Sequence, residues 1–306
     1  MDPQVRILLE TTYEAIVDAG YGADELRGSD TGVYSGGGLS ESEEVWNEDP
    51  DKINGYAITG CCRSMFPNRI SYVFDFKGPS YAVDTACSSS LVAMVQAYRD
   101  IQEGRCEAAI VTGSNLCLKP ATSLNYHRLS MLSPDGRCAA FDESGTGYVR
   151  SEGIVSVFLQ RRSAARRVYA TIRNGRINAD GYKPEGINYP SGNMQRRLAQ
   201  MTFEEAGLRP QDVTYFEAHG TGTKAGDPQE LNAITELFCK NRTSPLLIGS
   251  VKSNMGHGER TSGLASIAKL VVALQHGVIP ANLHYKSPNT DIPALLDGRL
   301  KVINLL

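Results

Sequence analysis

The chain has 306 residues, 41% of them hydrophobic, which is enough apolar mass for two average domains or one large layered one. Its 31 basic and 34 acidic residues leave a formal charge of -3 with no long run of one sign, which argues against nucleic acid or an anionic membrane as the main partner. Seven cysteines without a CxxC pair, two of them the adjacent Cys61 and Cys62, do not supply the ligand spacing of a zinc site and fit reduced cytosolic thiols.

Asp2, Glu10, Glu14 and Asp18 interrupt the opening segment, so no signal-peptide core is expected there, and no apolar run reaches the length of a membrane span. A soluble cytoplasmic protein is the expectation. Asn241-Arg242-Thr243 matches a glycosylation acceptor but is read as chance in such a chain.

Asp2-Pro3 sets a cap before a proline, and Val5, Leu8, Leu9, Tyr13, Ile16 and Val17 then recur at helical spacing until Gly20. Thr31 to Tyr34 reads as a short strand and Gly36 to Gly38 as a loop, without the pattern of a nucleotide site. Leu39 to Asn54 is polar and acidic, carries Trp46, and suits a surface excursion. Gly60 to Ile70 is expected to be helical and Val73 to Phe76 extended, with Lys77-Gly78-Pro79 turning into the next strand.

That strand runs into Asp84-Thr85-Ala86-Cys87-Ser88-Ser89-Ser90, where a tight turn opens a helix that stops near Gly104. A cysteine at a helix start faces the positive end of the helix dipole, with Ser88, Ser89 and Ser90 available to satisfy the first backbone donors. Such a position lowers a thiol pKa from about 8.5 into the range of roughly 3.5 to 7.5 and makes a nucleophile at neutral pH. A packed structural cysteine is the competing reading, and this stretch alone leaves both open.

Ala108 to Gly113 is a continuous apolar strand of the kind buried on both faces of a helix-covered sheet. Met131 to Gly136 is a turn-rich loop, and two strands follow, Ile154 to Leu159 and Val168 to Ile172, joined by the basic segment Arg161 to Arg167 as a solvated hairpin face. Gly192 to Ala206 reads as an amphipathic helix and Val213 to Ala218 as a strand ending at His219. Strand Leu246 to Gly249, a loop holding His257, a helix from Ser262 to His276 and a final strand near Leu300 to Ile303 repeat the earlier order and suggest an internal two-fold repeat. His219 and His257 each admit a structural reading, but both lie at strand ends, as Cys87 does, and such ends converge on one crevice in α/β sheets.

Asp84 to Ser90, Glu217-Ala218-His219-Gly220-Thr221-Gly222-Thr223 and Lys252-Ser253-Asn254-Met255-Gly256-His257, in that order, resemble the β-ketoacyl synthase domains of multifunctional fatty acid and polyketide synthases. The resemblance runs along nearly the whole chain. Asp75 to Ser80, Leu132 to Gly136, Gly226 to Asn232 and Pro293 to Leu300 look most like the animal fatty acid synthase branch, with animal-type polyketide synthases as close relatives.

What the resemblance implies is an α/β thiolase-like fold, with two similar halves in a layered α-β-α-β-α arrangement, usually a homodimer. The halves would be about residues 1–165, with the nucleophile Cys87, and about 166–306, with the two histidines. It implies that Cys87 takes an acyl chain from a phosphopantetheine thioester of an acyl carrier protein. His219 and His257 would assist decarboxylation of malonyl carrier protein and stabilise the enolate, Lys252 would order the charge and hydrogen bonds around them, and Thr221, Thr223, Asn254 and Met131 would line the phosphopantetheine and acyl path. It calls for no bound metal or nicotinamide.

Two departures stand out. Arg260 occupies a place where the family usually has a small residue or proline and is expected to alter the pocket rim. Both ends of the family domain are expected to fall outside this chain, including the glycine-rich phenylalanine loop after Leu306 that supplies an oxyanion-hole donor, a group typically worth about 2.7 to 4 kcal/mol. A scaffold that only dimerises or docks a carrier protein is the reading from a different class, although silent relatives usually lack the nucleophile.

Overall fold

The computed structural model describes residues 1–53 and 55–304, so Asn54 at the end of the expected surface excursion lies outside the described residues. In chain order its elements begin with α1 (Pro3–Asp18), β1 (Thr31–Gly36), α2 (Glu41–Asn47), α3 (Tyr56–Cys61), α4 (Met65–Phe74), β2 (Ser80–Val83), α5 (Ser89–Glu103) and β3 (Ala108–Asn115). They continue with α6 (Pro120–Arg128), β4 (Gly153–Gln160), α7 (Gly192–Ala206), β5 (Tyr215–Glu217), α8 (Gly226–Phe238) and β6 (Leu246–Gly249). Last come α9 (Lys252–Met255), α10 (Ser262–His276), α11 (Pro293–Leu296) and β7 (Leu300–Val302).

Two compact units form, each from separate stretches: Met1–Thr122, Ser151–Thr171 and Gly258–Val271 in the first, and Ser123–Arg150, Ile172–His257 and Val272–Leu306 in the second. The first holds a sheet in the order β2-β1-β3-β4, with β1 parallel to β2 and β3, and β4 antiparallel to β3 from Ala108↔Gln160 to Asn115↔Gly153. Every residue of β1 and of β3 is buried. Their alternation assigns them to two cores: Val33 and Ile110 meet Val5, Leu8, Phe66 and Ile70 of α1 and α4, while Tyr34, Ala109 and Val111 meet Ala93, Ala97 and Ile101 of α5 and Leu264 of α10. Two covered faces are why β3 reads as one unbroken apolar run.

Gly36 and Gly113, partners in the β1–β3 register, make a flat floor for the start of α5. A Cβ on Gly36 would lie 2.4 Å from Ser90 Cα, so a side chain there would push α5 off the strand ends.

The second unit holds a parallel sheet, β5-β6-β7, around Phe141, Leu231, Phe238, Leu246 and Ile248. Among the described residues no helix is long and apolar enough to cross a membrane.

Several expected elements differ. Val73 to Phe76 is not extended: Phe66, Ile70 and Phe74 recur on one buried face and carry α4 to Phe74, leaving Val73 41% exposed on the outer face and Asp75 in the left-handed conformation that stops the helix. The expected helix Gly60 to Ile70 is broken, since α3 ends at Cys61 and α4 begins at Met65. The excursion from Leu39 folds as α2, its cap Ser40 accepting from Glu43 N at 3.1 Å, with Trp46 on the outside. Tyr13 and Val17, expected on the buried stripe of α1, lie half exposed. Strand β5 is shorter than the expected Val213 to Ala218.

No hairpin follows β4, because 161–180 contains no strand. The basic side chains of this segment are spent on helix C-termini instead: Arg161 donates to Ile101 O and Gln102 O in the last turn of α5, Arg166 to Gly20 O, and Arg167 to Asp18 O and Oδ1 at the end of α1. Cations at unsatisfied carbonyls and the negative end of a helix dipole are favourable there, so the segment crosses the helix ends and does not fold back on β4.

Candidate active site

In the first unit β2 ends at Val83 and α5 begins at Ser89, leaving five residues, Asp84 to Ser88, to reverse the chain. Ala86 takes φ +56° in that turn, a left-handed conformation that costs an alanine roughly 1 to 2 kcal/mol. The turn is held by Ser89 N donating to Ala86 O (3.0 Å) and Ala86 N donating to Asp84 Oδ1 (3.2 Å). Cys87, half-buried, is thereby presented one residue before the helix cap Ser88.

The serines do not cap the helix as expected. Ser88 Oγ donates to Thr85 O and Ser89 Oγ to Ala86 O, so both hydroxyls lock the strained turn, while Ser90 Oγ accepts from Leu264 N. Ser262, the first residue of α10, donates its hydroxyl to Cys87 O at 3.1 Å. Arg260 meets Asp84 Oδ1 through Nε at 3.4 Å, and Arg63 meets Asp84 Oδ2 at 3.2 Å. Burial works against the Asp84 charge, but Arg260, the Ala86 N–H and Arg63 outweigh it and hold the carboxyl below its ordinary range.

In the second unit His219 follows β5 and His257 follows α9, and their rings meet edge to face with centroids 5.3 Å apart. The Tyr148 ring packs against His257 with centroids 4.9 Å apart, and His257 N donates to Val149 O at 2.7 Å. Lys252 on α9 is almost fully buried. The structure places both histidines and Lys252 in one unit with Met131, which the expected division put in the half of Cys87, and the Met131 carbonyl accepts from Tyr148 N (3.1 Å).

The loop after His219 is gripped by the first turns of α8. Glu230 accepts from His219 N (2.7 Å) and Gly220 N (2.9 Å), and Asp227 accepts from Gly222 N (3.1 Å) and Phe141 N (2.8 Å). Neither carboxylate was singled out for a role by the sequence. The signal was present, since an acid beside Pro228 with a second acid three residues on marks a helix start whose carboxylates face backbone donors.

The remaining expected site residues are spread over this region. Thr221 is buried with its hydroxyl 3.1 Å from that of Thr223, and Thr223 also accepts from Gly226 N at the start of α8. Asn254 is exposed and donates its amide to Ala281 O.

Burial, and then the Lys252 charge, push His257 down to about 3. His219 is lowered well below 6.5 by the protein packed around its ring, by Lys252 and by His257, although one side of the residue still reaches solvent. Burial acts oppositely on the acids, raising Glu230 despite its backbone donors and raising Asp227 to about 7.

Both histidines are therefore neutral at pH 7, each able to donate one hydrogen bond and accept another. The expected result in an NMR titration is that the His257 ring signals stay fixed between pH 8 and 5. A shift centred between pH 6 and 7 would contradict a buried, neutral His257. For stability the signs differ. Because the folded histidine pKa values are depressed, the unfolded chain binds protons first and stability falls as pH drops through 6.5 towards 3. Asp227 offsets part of this, since its folded carboxyl takes up a proton near pH 7, before the unfolded one does.

Residues 1–165 match the family described as beta-ketoacyl synthase, N-terminal domain, and residues 169–286 match beta-ketoacyl synthase, C-terminal domain. The chain is 56% identical over 278 residues to a fatty acid synthase of Anser anser anser, covering 91% of this chain and 79% of that sequence. It is 44% identical over 296 residues to the hybrid PKS-NRPS synthetase pytA of Aspergillus terreus, covering 95% of this chain and 44% of that protein. Among solved structures it superposes on the Streptomyces albus JA3453 oxazolomycin ketosynthase domain OzmH KS7 with a TM-score of 0.91 at 37% identity, covering 99% of this chain and 54% of that one. The ketosynthase from module 6 of the bacillaene synthase of Bacillus subtilis 168 gives 0.87 at 36% identity, with 95% and 51% covered. The fold is the mixed α/β, thiolase-like fold of ketosynthases, and the chain spans about half the length of those two structures.

Proposed function

The chain belongs to the β-ketoacyl synthase family, and from that membership we propose that it is an acyltransferase carrying out decarboxylative Claisen condensation in fatty acid assembly. The observation that carries the reading is a cysteine on a strained strand-to-helix turn in a chain that also sets two histidines, their rings 5.3 Å apart and His257 buried, beside a buried lysine.

Cys87 Sγ attacks the carbonyl carbon of an acyl thioester, forming a new C–S bond as the bond to the carrier sulfur breaks and that thiolate takes up a proton. The carboxylate of a malonyl thioester then leaves as carbon dioxide, its bonding pair remaining as an enolate. His219 and His257 donate hydrogen bonds to the enolate oxygen, a charge-stabilising role that needs no proton transfer by either ring. The enolate carbon attacks the acyl group on Cys87, the C–C bond forms, and Cys87 leaves as thiolate. Burial, and then the charge of Lys252, keep both imidazoles neutral.

Under this reading the thioesters arrive on the phosphopantetheine of an acyl carrier protein, with Thr221, Thr223, Asn254 and Met131 along their path. Residues 1–165 and 166–306 act as halves of one condensing domain, working as a cytoplasmic homodimer. A polyketide synthase domain is the second reading, favoured by the 44% identity to the fungal hybrid synthetase, and the extender units and chain lengths accepted separate the two.

The test is intact mass with peptide mapping after exposure to a short acyl-phosphopantetheine thioester. One adduct confined to Cys87 among the seven cysteines is expected. Scattered modification, or none on Cys87, removes the acyltransferase reading for this chain and favours a scaffold that only docks partners.

A further inference from the structure

We propose that Arg260 is a positioning residue for the nucleophile, acting through Asp84 to hold the turn that aims Cys87 at its acyl donor. The proposal rests on the acyltransferase reading of Cys87. Its geometry lies within the first unit.

The short 3-10 segment Glu259–Thr261 and the first residue of α10 grip the turn at two points. The Arg260 guanidinium takes Asp84 Oδ1 at 3.4 Å, and the Ser262 hydroxyl takes Cys87 O at 3.1 Å. Residues two apart in one segment therefore hold residues three apart in the other, with Ala86 between the held points. Ala86 needs such support because its φ of +56° is not one an alanine adopts unaided. Asp84 Oδ1 passes the restraint on, since the oxygen that meets Arg260 also accepts the Ala86 N–H at 3.2 Å.

Arg63 closes the carboxylate from the other side at 3.2 Å, but its side chain is 53% exposed, against 15% for Arg260 and 19% for Asp84. The screened Arg63 contact is the weaker of the two, and Arg260 is the firmer anchor. A small residue or proline at this position would leave Asp84 to the Ala86 N–H and the exposed Arg63.

Acylation forms the Sγ–C bond while the donor C–S bond breaks, and it depends on the approach direction of Sγ. A misplacement of about 1 Å can cost on the order of a hundredfold in rate. The restraint therefore bears on the rate constant of acylation and not on thioester binding.

The experiment measures Cys87 acylation against acyl-phosphopantetheine concentration by peptide mass for wild type, Arg260→Gln, Arg260→Lys, Asp84→Asn, Arg63→Gln and the Arg260→Gln/Asp84→Asn double variant. Alkylation of Cys87 by iodoacetamide is followed in parallel. Arg260→Gln and Asp84→Asn are each expected to lower the maximal acylation rate by roughly tenfold to a hundredfold, with the half-saturating concentration little changed. Arg260→Lys should recover part of the loss, Arg63→Gln should lose less, and the double variant should be no slower than Asp84→Asn.

A wild-type rate in Arg260→Gln, or losses that multiply in the double variant, overturns the proposal. If Arg260→Gln does not fold, the order wild type, Arg260→Lys, Asp84→Asn carries the same test, and equal rates in those three overturn it. Failure of the acyltransferase reading is separately visible as no acylation of wild-type Cys87. The alkylation rates then still decide whether Arg260 governs the presentation of the thiol, equal rates overturning the proposal and a slower Arg260→Gln upholding it.

Discussion

Replacing Cys87 by alanine is expected to abolish acyl loading, while His257→Ala still loads and loses condensation. The separation follows from chemistry. Loading needs a nucleophilic sulfur and a turn that presents it; decarboxylation needs neutral hydrogen-bond donors at the enolate oxygen, the role proposed for the histidines. Removing one oxyanion donor in a water-poor site typically costs about 100- to 1,000-fold, so condensation by His257→Ala should fall by that order.

Little background is expected from the other cysteines. Burial raises the thiol pKa of Cys61, Cys106, Cys138 and Cys239, which disfavours the thiolate and hides the sulfur, leaving Cys62 and Cys117 as the half-buried competitors. Acyl transfer measured by mass, together with carbon dioxide release from a malonyl thioester, reads the two steps separately. Rapid loading of the Cys87→Ala protein would sink the assignment of the nucleophile. Loss of loading in His257→Ala would instead place that histidine in the first step.

What the sequence made legible is what short-range physics decides. The helix ends at Gly104 and Gly277 could be read because both residues sit at positive φ, +75° and +66°, where glycine alone carries no penalty. The run Ala108 to Gly113 could be read because two covered faces leave no polar position to interrupt it. Val73 misled because β-branched residues favour strands locally, whereas burial of Phe66, Ile70 and Phe74 on one side decides for helix.

The basic segment after β4 misled for a longer-range reason. Its arginines find carbonyls at the ends of α1 and α5, up to 149 residues away, which no local window reveals. At the candidate site the reacting residue types were legible and their supports were not. Cys87, His219 and His257 announce themselves by chemistry, but Asp227 and Glu230 serve backbone donors, and Asp84 serves a backbone N–H while Arg63 and Arg260 flank it. Asp227 and Glu230 were legible only as acids at a helix start, and the partners of Asp84 become visible only once the chain is folded.

The second large effect belongs to one of those supports, the loop that carries His219. Gly220→Ala is expected to cost the fold about 2 to 5 kcal/mol and to depress condensation by displacing His219. Gly220 takes φ +45°, a conformation that charges an alanine roughly 1 to 2 kcal/mol. A Cβ there would also lie 2.7 Å from Ser250 Cβ and 2.8 Å from Phe141 Cζ, and forcing a methyl into such packing typically adds about 1 to 3 kcal/mol. Relief requires Gly220 to move, and Gly220 N and His219 N share the two oxygens of Glu230, so a shift that frees the methyl pulls His219 off its clamp. Gly220 N, left without Glu230, would add a desolvation penalty of roughly 1 to 3 kcal/mol, which is why the loop should move as a unit or not at all. Urea unfolding reads the first cost, and the His219 ring signal in NMR reads the displacement. A Gly220→Ala protein with wild-type stability and an unshifted His219 signal would show that the loop has room the structure does not give it.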